Sequence, residues 1–134
     1  MEIALEIVVR CTEIDVNGHV NNAKFVEYLE WGREEWYDRL GLHYDRLHQM
    51  GAVTVVVNMN INLRKPCYQG DQLRIVTWPV KRGRTSFVLG QRIEREGVLV
   101  ADGLITLVTI DPATSKSRPV PDELARWFPE EKAG

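Results

Sequence analysis

The sequence predicts an α+β fold in which one long helix packs on an antiparallel sheet of about five strands. The first observation is the order of the segments: one apolar strand, one long amphipathic helix, and then mainly strands. The second is that short turns join the last three strands, which requires those strands to pair in antiparallel fashion. The third is a glycine inside the apolar stripe of the helix, which suits a helix lying close to a sheet.

The first strand and the helix follow from local patterns. Residues 2–11 mix alternating apolar positions with a β-branched run, which is typical of a strand. A helix is predicted over residues 22–40, with Asn21 or Asn22 as its cap and Gly41 as its end. One face of it carries an apolar stripe formed by Phe25, Leu29, Gly32, Trp36 and Leu40. Glycine at this position costs about 1 kcal/mol relative to alanine, so we expect the helix backbone to lie very close to its packing partner.

The remaining strands begin at Val53. Residues 53–63 alternate with a period of two, which predicts one apolar face and one amide face. The apolar face would carry Val55, Val57, Met59, Ile61 and Leu63, and the amide face Asn58, Asn60 and Asn62. Three further strands are predicted at residues 72–80, 85–95 and 98–110, with short helices at residues 44–50 and 122–127.

Composition indicates a single globular domain over residues 1–134. Apolar residues make up 44% of the chain, and the formal net charge of −2 gives no field that would favour nucleic acid. The N-terminus carries acids where a signal peptide would carry bases, so we expect a cytoplasmic location and no membrane span. Cys11 and Cys67 are expected to be small buried apolar side chains, and no spacing indicates a zinc site.

The most informative motif runs from Asp15 through Asn22 and reads DVNGHVNN. It places one carboxylate a single tight turn, at Asn17-Gly18, before the start of the helix. A helix start presents unpaired N–H groups and a partial positive charge. A carboxylate beside such donors suits the attack on a carbonyl group, since the backbone can hold the oxyanion.

This motif and the order of the elements resemble the hotdog-fold thioesterases, and within them the 4-hydroxybenzoyl-CoA thioesterase family. The resemblance covers residues 8–110 and is most specific over residues 12–25, TEIDVNGHVNNAKF. It implies a long helix wrapped by a curved antiparallel sheet, edge-to-edge homodimers that often form a homotetramer, and an active site at the dimer interface. It also implies hydrolysis of an acyl-CoA thioester without a metal or cofactor.

The resemblance assigns the catalytic carboxylate to Asp15, as nucleophile or as general base for a water. The other interpretation of Asp15 is a residue that only shapes the turn. The backbone N–H groups of Asn22 and Ala23 are the predicted oxyanion donors. His19 either steers a proton near Asp15 or packs under the helix start and bonds a backbone carbonyl.

Substrate-binding residues are predicted less specifically. A basic turn is expected to bind the phosphates of CoA, unless it is only a solvated hairpin, and it contains Lys81, Arg82, Arg84 and Ser86. Arg64 and Lys65 form a second candidate. The acyl pocket would lie between helix and sheet, lined by Phe25, Tyr28, Leu29 and Gly32, although the same residues could be plain core.

Two other functions fit the same motif. A hotdog dehydratase or hydratase acting on a 3-hydroxyacyl thioester would use Asp15 and His19 as a base and acid pair. A non-catalytic module would bind acyl-CoA without hydrolysing it. Release of free thiol distinguishes the thioesterase from both.

Overall fold

A computed structural model describes residues 1–129 of the chain. A short 3₁₀ turn, Cys11–Glu13, follows the first strand. The helices are α1 (Asn22–Arg39), α2 (Tyr44–Gln49) and α3 (Asp122–Ala125). The strands are β1 (Ile3–Val8), β2 (Val53–Leu63), β3 (Gln72–Arg82), β4 (Ser86–Arg95) and β5 (Val98–Ile110). Within residues 1–129, each helix is too short or too polar to span a bilayer.

The five strands form one antiparallel sheet in the order β1-β3-β4-β5-β2, and α1 packs against β1, β3 and β4. The predicted α+β class and the five strands are therefore confirmed. Strands β1 and β2 are the two edges of the sheet.

The strand register defines two ends of the sheet. At one end Val8 pairs with Gln72 and Leu63 pairs with Ala101; we call this the Asp15 end, because β1 leads from there to Asp15. At the other end Arg82 pairs with Phe87 in the β3–β4 hairpin, and we call this the hairpin end. These two ends determine which predicted site residues can meet within one chain.

The helix lies close to the sheet at Gly32, as the sequence predicted. A Cβ atom on Gly32 would lie 2.5 Å from Ile75 Cγ2 and 3.1 Å from both Gln91 Nε2 and Thr77 Oγ1. Gln91 Nε2 donates to the Leu29 carbonyl and to Thr77 Oγ1, each at 2.8 Å. The buried amide of Gln91 thus links the middle of α1 to β3 and β4. A side chain at Gly32 would overlap with this amide and with the side chains of Ile75 and Thr77.

Several sequence expectations differ from the structure. Strand β1 ends at Val8, because the Arg10 N–H donates to Glu13 Oε1 at 2.8 Å and turns the chain, which leaves Cys11 exposed rather than buried. The strict alternation of β2 is broken by a bulge at Val57, so Val55, opposite Val108, and Met59, opposite Ile105, lie on different faces. Helix α3 ends at Ala125, before residue 127.

Candidate active site

The Asp15 loop is a tight turn closed by backbone hydrogen bonds. The Asp15 N–H donates to the His19 carbonyl at 2.9 Å, and the Gly18 N–H donates to the Asp15 carbonyl at 3.0 Å. Gly18 has a φ of +83°, which L residues with side chains rarely adopt. The predicted turn at Asn17-Gly18 is confirmed, and it fixes the backbone that carries the carboxylate.

The Asp15 carboxylate is partly engaged in this turn. Oδ1 accepts the Asn17 N–H at 2.8 Å, and the side chain of Asp15 is 22% exposed. Within residues 1–129 no hydrogen bond to Oδ2 is formed. Asp15 therefore shapes the turn with one oxygen and leaves the other without a hydrogen bond in this part of the chain, so the structural and the catalytic interpretations are compatible.

The start of α1 offers one open backbone amide. Asn21 is the cap, and its side-chain oxygen accepts the Ala23 N–H at 2.8 Å. The Asn22 N–H meets no acceptor within the described part of the chain. Of the two predicted oxyanion donors, Ala23 is thus already used by the cap, and Asn22 is the one left open.

His19 lies between the two roles predicted for it. Its Nδ1 is 3.4 Å from the Val20 carbonyl oxygen and 4.0 Å from Asp15 Oδ1, and its side chain is 34% exposed. The first contact is the backbone bond of the non-catalytic interpretation. The second places the imidazole close enough to the Asp15 carboxylate for both groups to contact the same water molecule.

Buried contacts hold the loop against α1. The Asn21 N–H donates to the Glu13 carbonyl at 3.0 Å, and Glu13 Oε1 accepts the Tyr28 hydroxyl at 2.9 Å. Burial, followed by this hydrogen bond, raises the pKa of Tyr28. The sequence did not indicate Glu13 as a site residue, because a single glutamate in a loop usually lies at the surface. The spacing of three residues between Arg10 and Glu13, as in a capping box, was the available signal.

The basic residues predicted to bind CoA lie at the hairpin end. Gln72 and Arg82 are separated by the length of β3, about 33 Å at about 3.3 Å per residue. Arg82 Nε donates to the Ala125 carbonyl at 3.2 Å, and the Arg84 carbonyl accepts the Val120 N–H at 2.9 Å. These residues therefore support α3, and together with Lys81 and Ser86 they do not reach Asp15 within the same chain.

The four residues predicted for the acyl pocket belong to the core of the chain. Phe25, Tyr28, Leu29 and Gly32 are all buried. The Ile75 methyl group fills the space beside Gly32, so close helix packing, rather than room for an acyl chain, explains this glycine.

A family profile described as the thioesterase-like superfamily matches residues 9–128. The chain belongs to this superfamily. The hotdog fold expected from the resemblance is confirmed, whereas the narrower 4-hydroxybenzoyl-CoA thioesterase family stays a prediction.

Individual proteins are also similar to this chain. The long-chain acyl-CoA thioesterase FadM of Escherichia coli is 40% identical over 124 residues, which cover 89% of this chain and 91% of FadM. The crystal structure of the YbaW probable thioesterase from Escherichia coli matches with a TM-score of 0.80 at 34% identity, over 94% of this chain and 98% of that one. A DHNA-CoA thioesterase from Staphylococcus aureus matches with a TM-score of 0.82 at 26% identity, over 96% of this chain and 84% of that one.

Two surfaces of this superfamily member lie beside the site. A groove of about 830 Å³ follows the β1 edge next to Trp31, and it reaches Glu13 but not Asp15. Strand β2 presents the other edge, along which several apolar side chains are exposed: Val55, Val57, Met59 and Leu63. Among residues 1–129, no three His, Cys, Asp or Glu side chains are grouped closely enough to bind a metal ion.

Proposed function

We propose that this chain hydrolyses an acyl-CoA thioester to the free acid and CoA, with Asp15 as nucleophile or general base. The observation that carries the proposal is that Asp15 and the open Asn22 amide belong to one pinned loop. The bridge between Ile14 and Val20 and the bond from the Asn21 N–H to the Glu13 carbonyl hold the helix start beside the carboxylate. The similar proteins include a long-chain acyl-CoA thioesterase and a 1,4-dihydroxy-2-naphthoyl-CoA hydrolase, which supports the substrate class.

The chemistry needs only these groups. The thioester oxygen accepts the Asn22 N–H, which stabilises the negative charge that develops on it. Asp15 then either attacks the carbonyl carbon and expels the CoA thiolate, which leaves a mixed anhydride on Asp15, or takes a proton from a water that attacks the carbonyl carbon and itself displaces the thiolate. In the first route water cleaves the anhydride, and in both routes the products are the acid and CoA. His19 is close enough to hold the water or the proton.

The proposal includes a homodimer formed through the β2 edge. Two β2 strands paired in antiparallel fashion would continue the sheet from one copy into the next. Because the pairing is antiparallel, the hairpin end of the second copy would lie beside the Asp15 end of the first. The basic hairpin could then bind CoA held at the other copy's Asp15. A homotetramer and the cytoplasmic location stay predictions from the sequence.

The test is the substitution Asp15→Asn. We expect turnover to fall by about 10²–10⁴-fold, because the amide can neither attack nor accept the proton. Thiol release would be measured over a panel that contains long-chain and aromatic acyl-CoAs, with melting temperature as the measure of folding. Asp38→Asn, an exposed aspartate elsewhere on α1, is the matched control and should behave like the unchanged protein. Near-normal turnover of Asp15→Asn would reject the assignment.

The same assay separates the alternatives. The distance of 4.0 Å between His19 Nδ1 and Asp15 Oδ1 is the observation that favours a dehydratase or hydratase. That enzyme would change the acyl chain of a 3-hydroxyacyl-CoA and release no thiol. A binding module would protect the chain against melting in the presence of acyl-CoA and leave the ligand intact.

A further inference from the structure

We propose that residues 64–68, on the same chain as Asp15, bind the phosphorylated nucleotide end of CoA. We call this stretch the RKPCY segment, after its sequence. The inference rests on the proposed function, because it assigns a substrate subsite to the same active site. The sequence indicated Arg64 and Lys65 only as a second candidate after the basic turn, whereas we make Lys65 and Tyr68 the principal residues and place them at the Asp15 end.

The RKPCY segment directly follows β2 and touches the Asp15 loop. The N–H groups of Arg64 and Lys65 donate to the Val100 carbonyl at 2.8 and 3.2 Å, which ties the segment to the start of β5. The Cys67 carbonyl accepts the Val20 N–H at 2.8 Å, two residues before the open Asn22 amide. The basic hairpin of the same chain, by contrast, lies a full strand length away.

Hydrogen bonds from Arg95 and Asp71 fix the backbone of the RKPCY segment. Arg95 Nη1 donates to the Pro66 carbonyl at 2.8 Å and to Asp71 Oδ2 at 3.2 Å. The same Asp71 oxygen accepts the Tyr68 N–H at 2.8 Å, and the Asp71 N–H donates to the Tyr68 carbonyl at 3.0 Å. A segment ordered in advance loses little backbone freedom when a ligand arrives, so its exposed side chains can bind at lower entropic cost.

The exposed side chains suit a phosphorylated nucleotide. Lys65 is exposed, and within residues 1–129 it has no ion-pair partner. Arg64 Nε donates to Asp102 Oδ2, which orients the guanidinium while its side chain stays 49% exposed. Tyr68 is 49% exposed and offers an aromatic face. Phosphates bind ammonium and guanidinium groups, and a purine ring stacks on an aromatic side chain. Because Asp102 offsets the charge of Arg64, Lys65 and Tyr68 are expected to contribute more than Arg64.

The experiment compares one acyl group on two carriers. The first carrier is CoA, and the second is N-acetylcysteamine, which presents the thioester without phosphates or adenine. For Lys65→Ala and Tyr68→Ala we expect the KM for the acyl-CoA to rise about tenfold, with kcat within about twofold. The kinetics on the N-acetylcysteamine thioester should not change. Lys116→Ala, an exposed lysine at the hairpin end, is the matched control.

Each other outcome counts against the proposal. An unchanged KM for acyl-CoA in both variants overturns it, and so does an equal rise on both carriers, which would indicate a general disturbance of the site. A rise with Lys81→Ala and none with Lys65→Ala would assign the nucleotide to the hairpin alone. If the unchanged protein hydrolyses neither thioester, the proposed function fails. Calorimetric binding of free CoA then still tests the segment, and equal affinity for the unchanged protein and Lys65→Ala overturns it.

Discussion

Short polar side chains of the Asp15 loop determine which backbone groups are left open. Asn21 accepts the Ala23 N–H and thereby completes the cap of α1, while the preceding N–H, that of Asn22, stays available. Asp15 similarly uses Oδ1 for the Asn17 N–H and leaves Oδ2 without a partner among residues 1–129. The same local hydrogen bonds that fold the loop therefore leave open the two groups to which the proposed hydrolysis assigns a role.

The role of Asn21 as the cap of α1 can be tested by substitution, with Asn22 as the control. Asn21→Ala removes the acceptor for the Ala23 N–H, so we expect the free energy of unfolding to fall by about 1 kcal/mol. Turnover should fall too, because the first turn of α1 loosens around the Asn22 amide. Asn22→Ala keeps that amide and should leave both quantities near their original values. Urea unfolding and thiol release measure the two effects, and an equal loss of turnover in the two variants would contradict the backbone role of Asn22.

At this scale the sequence predicted what local chemistry decides. The Asn17-Gly18 turn, the Asn21 cap and the place of Asp15 before the helix all depend on neighbours within a few residues. The bond between Tyr28 and Glu13 joins residues 15 apart, so no local pattern indicates it. The separation of Lys81 and Arg84 from Asp15 was equally hidden, because it depends on the direction in which β3 runs through the sheet.

The contact between α1 and the sheet supports the candidate site. Gly32 lets the helix backbone approach Ile75, and Gln91 anchors the carbonyl of Leu29. Arg33 Nη1 donates to Gln91 Oε1 at 3.0 Å, and burial lowers the pKa of this guanidinium. Because these contacts fix the height of α1 above the sheet, they also fix the position of its N-terminus beside Asp15.

Gly32→Ala tests this contact. Alanine favours the helix by about 1 kcal/mol over glycine, so an exposed site would gain stability. Here the added methyl group would lie 2.5 Å from Ile75 Cγ2, and relieving that overlap should cost about 1–3 kcal/mol. We therefore expect a net loss of stability in chemical denaturation and a fall in turnover as α1 shifts. Glu34→Ala, at an exposed position of α1, is the control. A gain in stability for Gly32→Ala would show that α1 lies less close to the sheet than the structure places it.

Periodicity predicted the helix and every strand, but it did not predict the irregularity of β2. A run of alternating residues looks the same whether or not one residue is inserted into the pairing. The bulge at Val57 is visible only in the register against β5, where Val56 pairs with Leu107 and Asn58 with Thr106. As a result Val55 and Met59 face opposite sides, and both sides of this edge carry exposed apolar groups.

The two edges of the sheet differ in length and in charge. Strand β2 is 11 residues long and exposes several apolar side chains, whereas β1 has six residues and carries an exposed glutamate, Glu6. Short strands and charged side chains protect an edge against pairing, and a long apolar edge favours it. The proposed dimer therefore uses β2, and it is the same arrangement that would bring the hairpin of one copy to the Asp15 end of the other.

This asymmetry predicts opposite results for two matched substitutions. Val57→Lys places a charge at the exposed β2 edge, where it would be desolvated by a second copy, so we expect the protein to sediment as a monomer. Val8→Lys makes the same change at the β1 edge, where the valine is 52% exposed, compared with 57% for Val57, and should leave the dimer intact. If the hairpin of the second copy binds CoA, the monomer should also have a higher KM for acyl-CoA than the unchanged protein has. The KM for the N-acetylcysteamine thioester should be the same in both proteins. A Val57→Lys protein that remains dimeric, or a Val8→Lys protein that dissociates, would assign the interface to another surface.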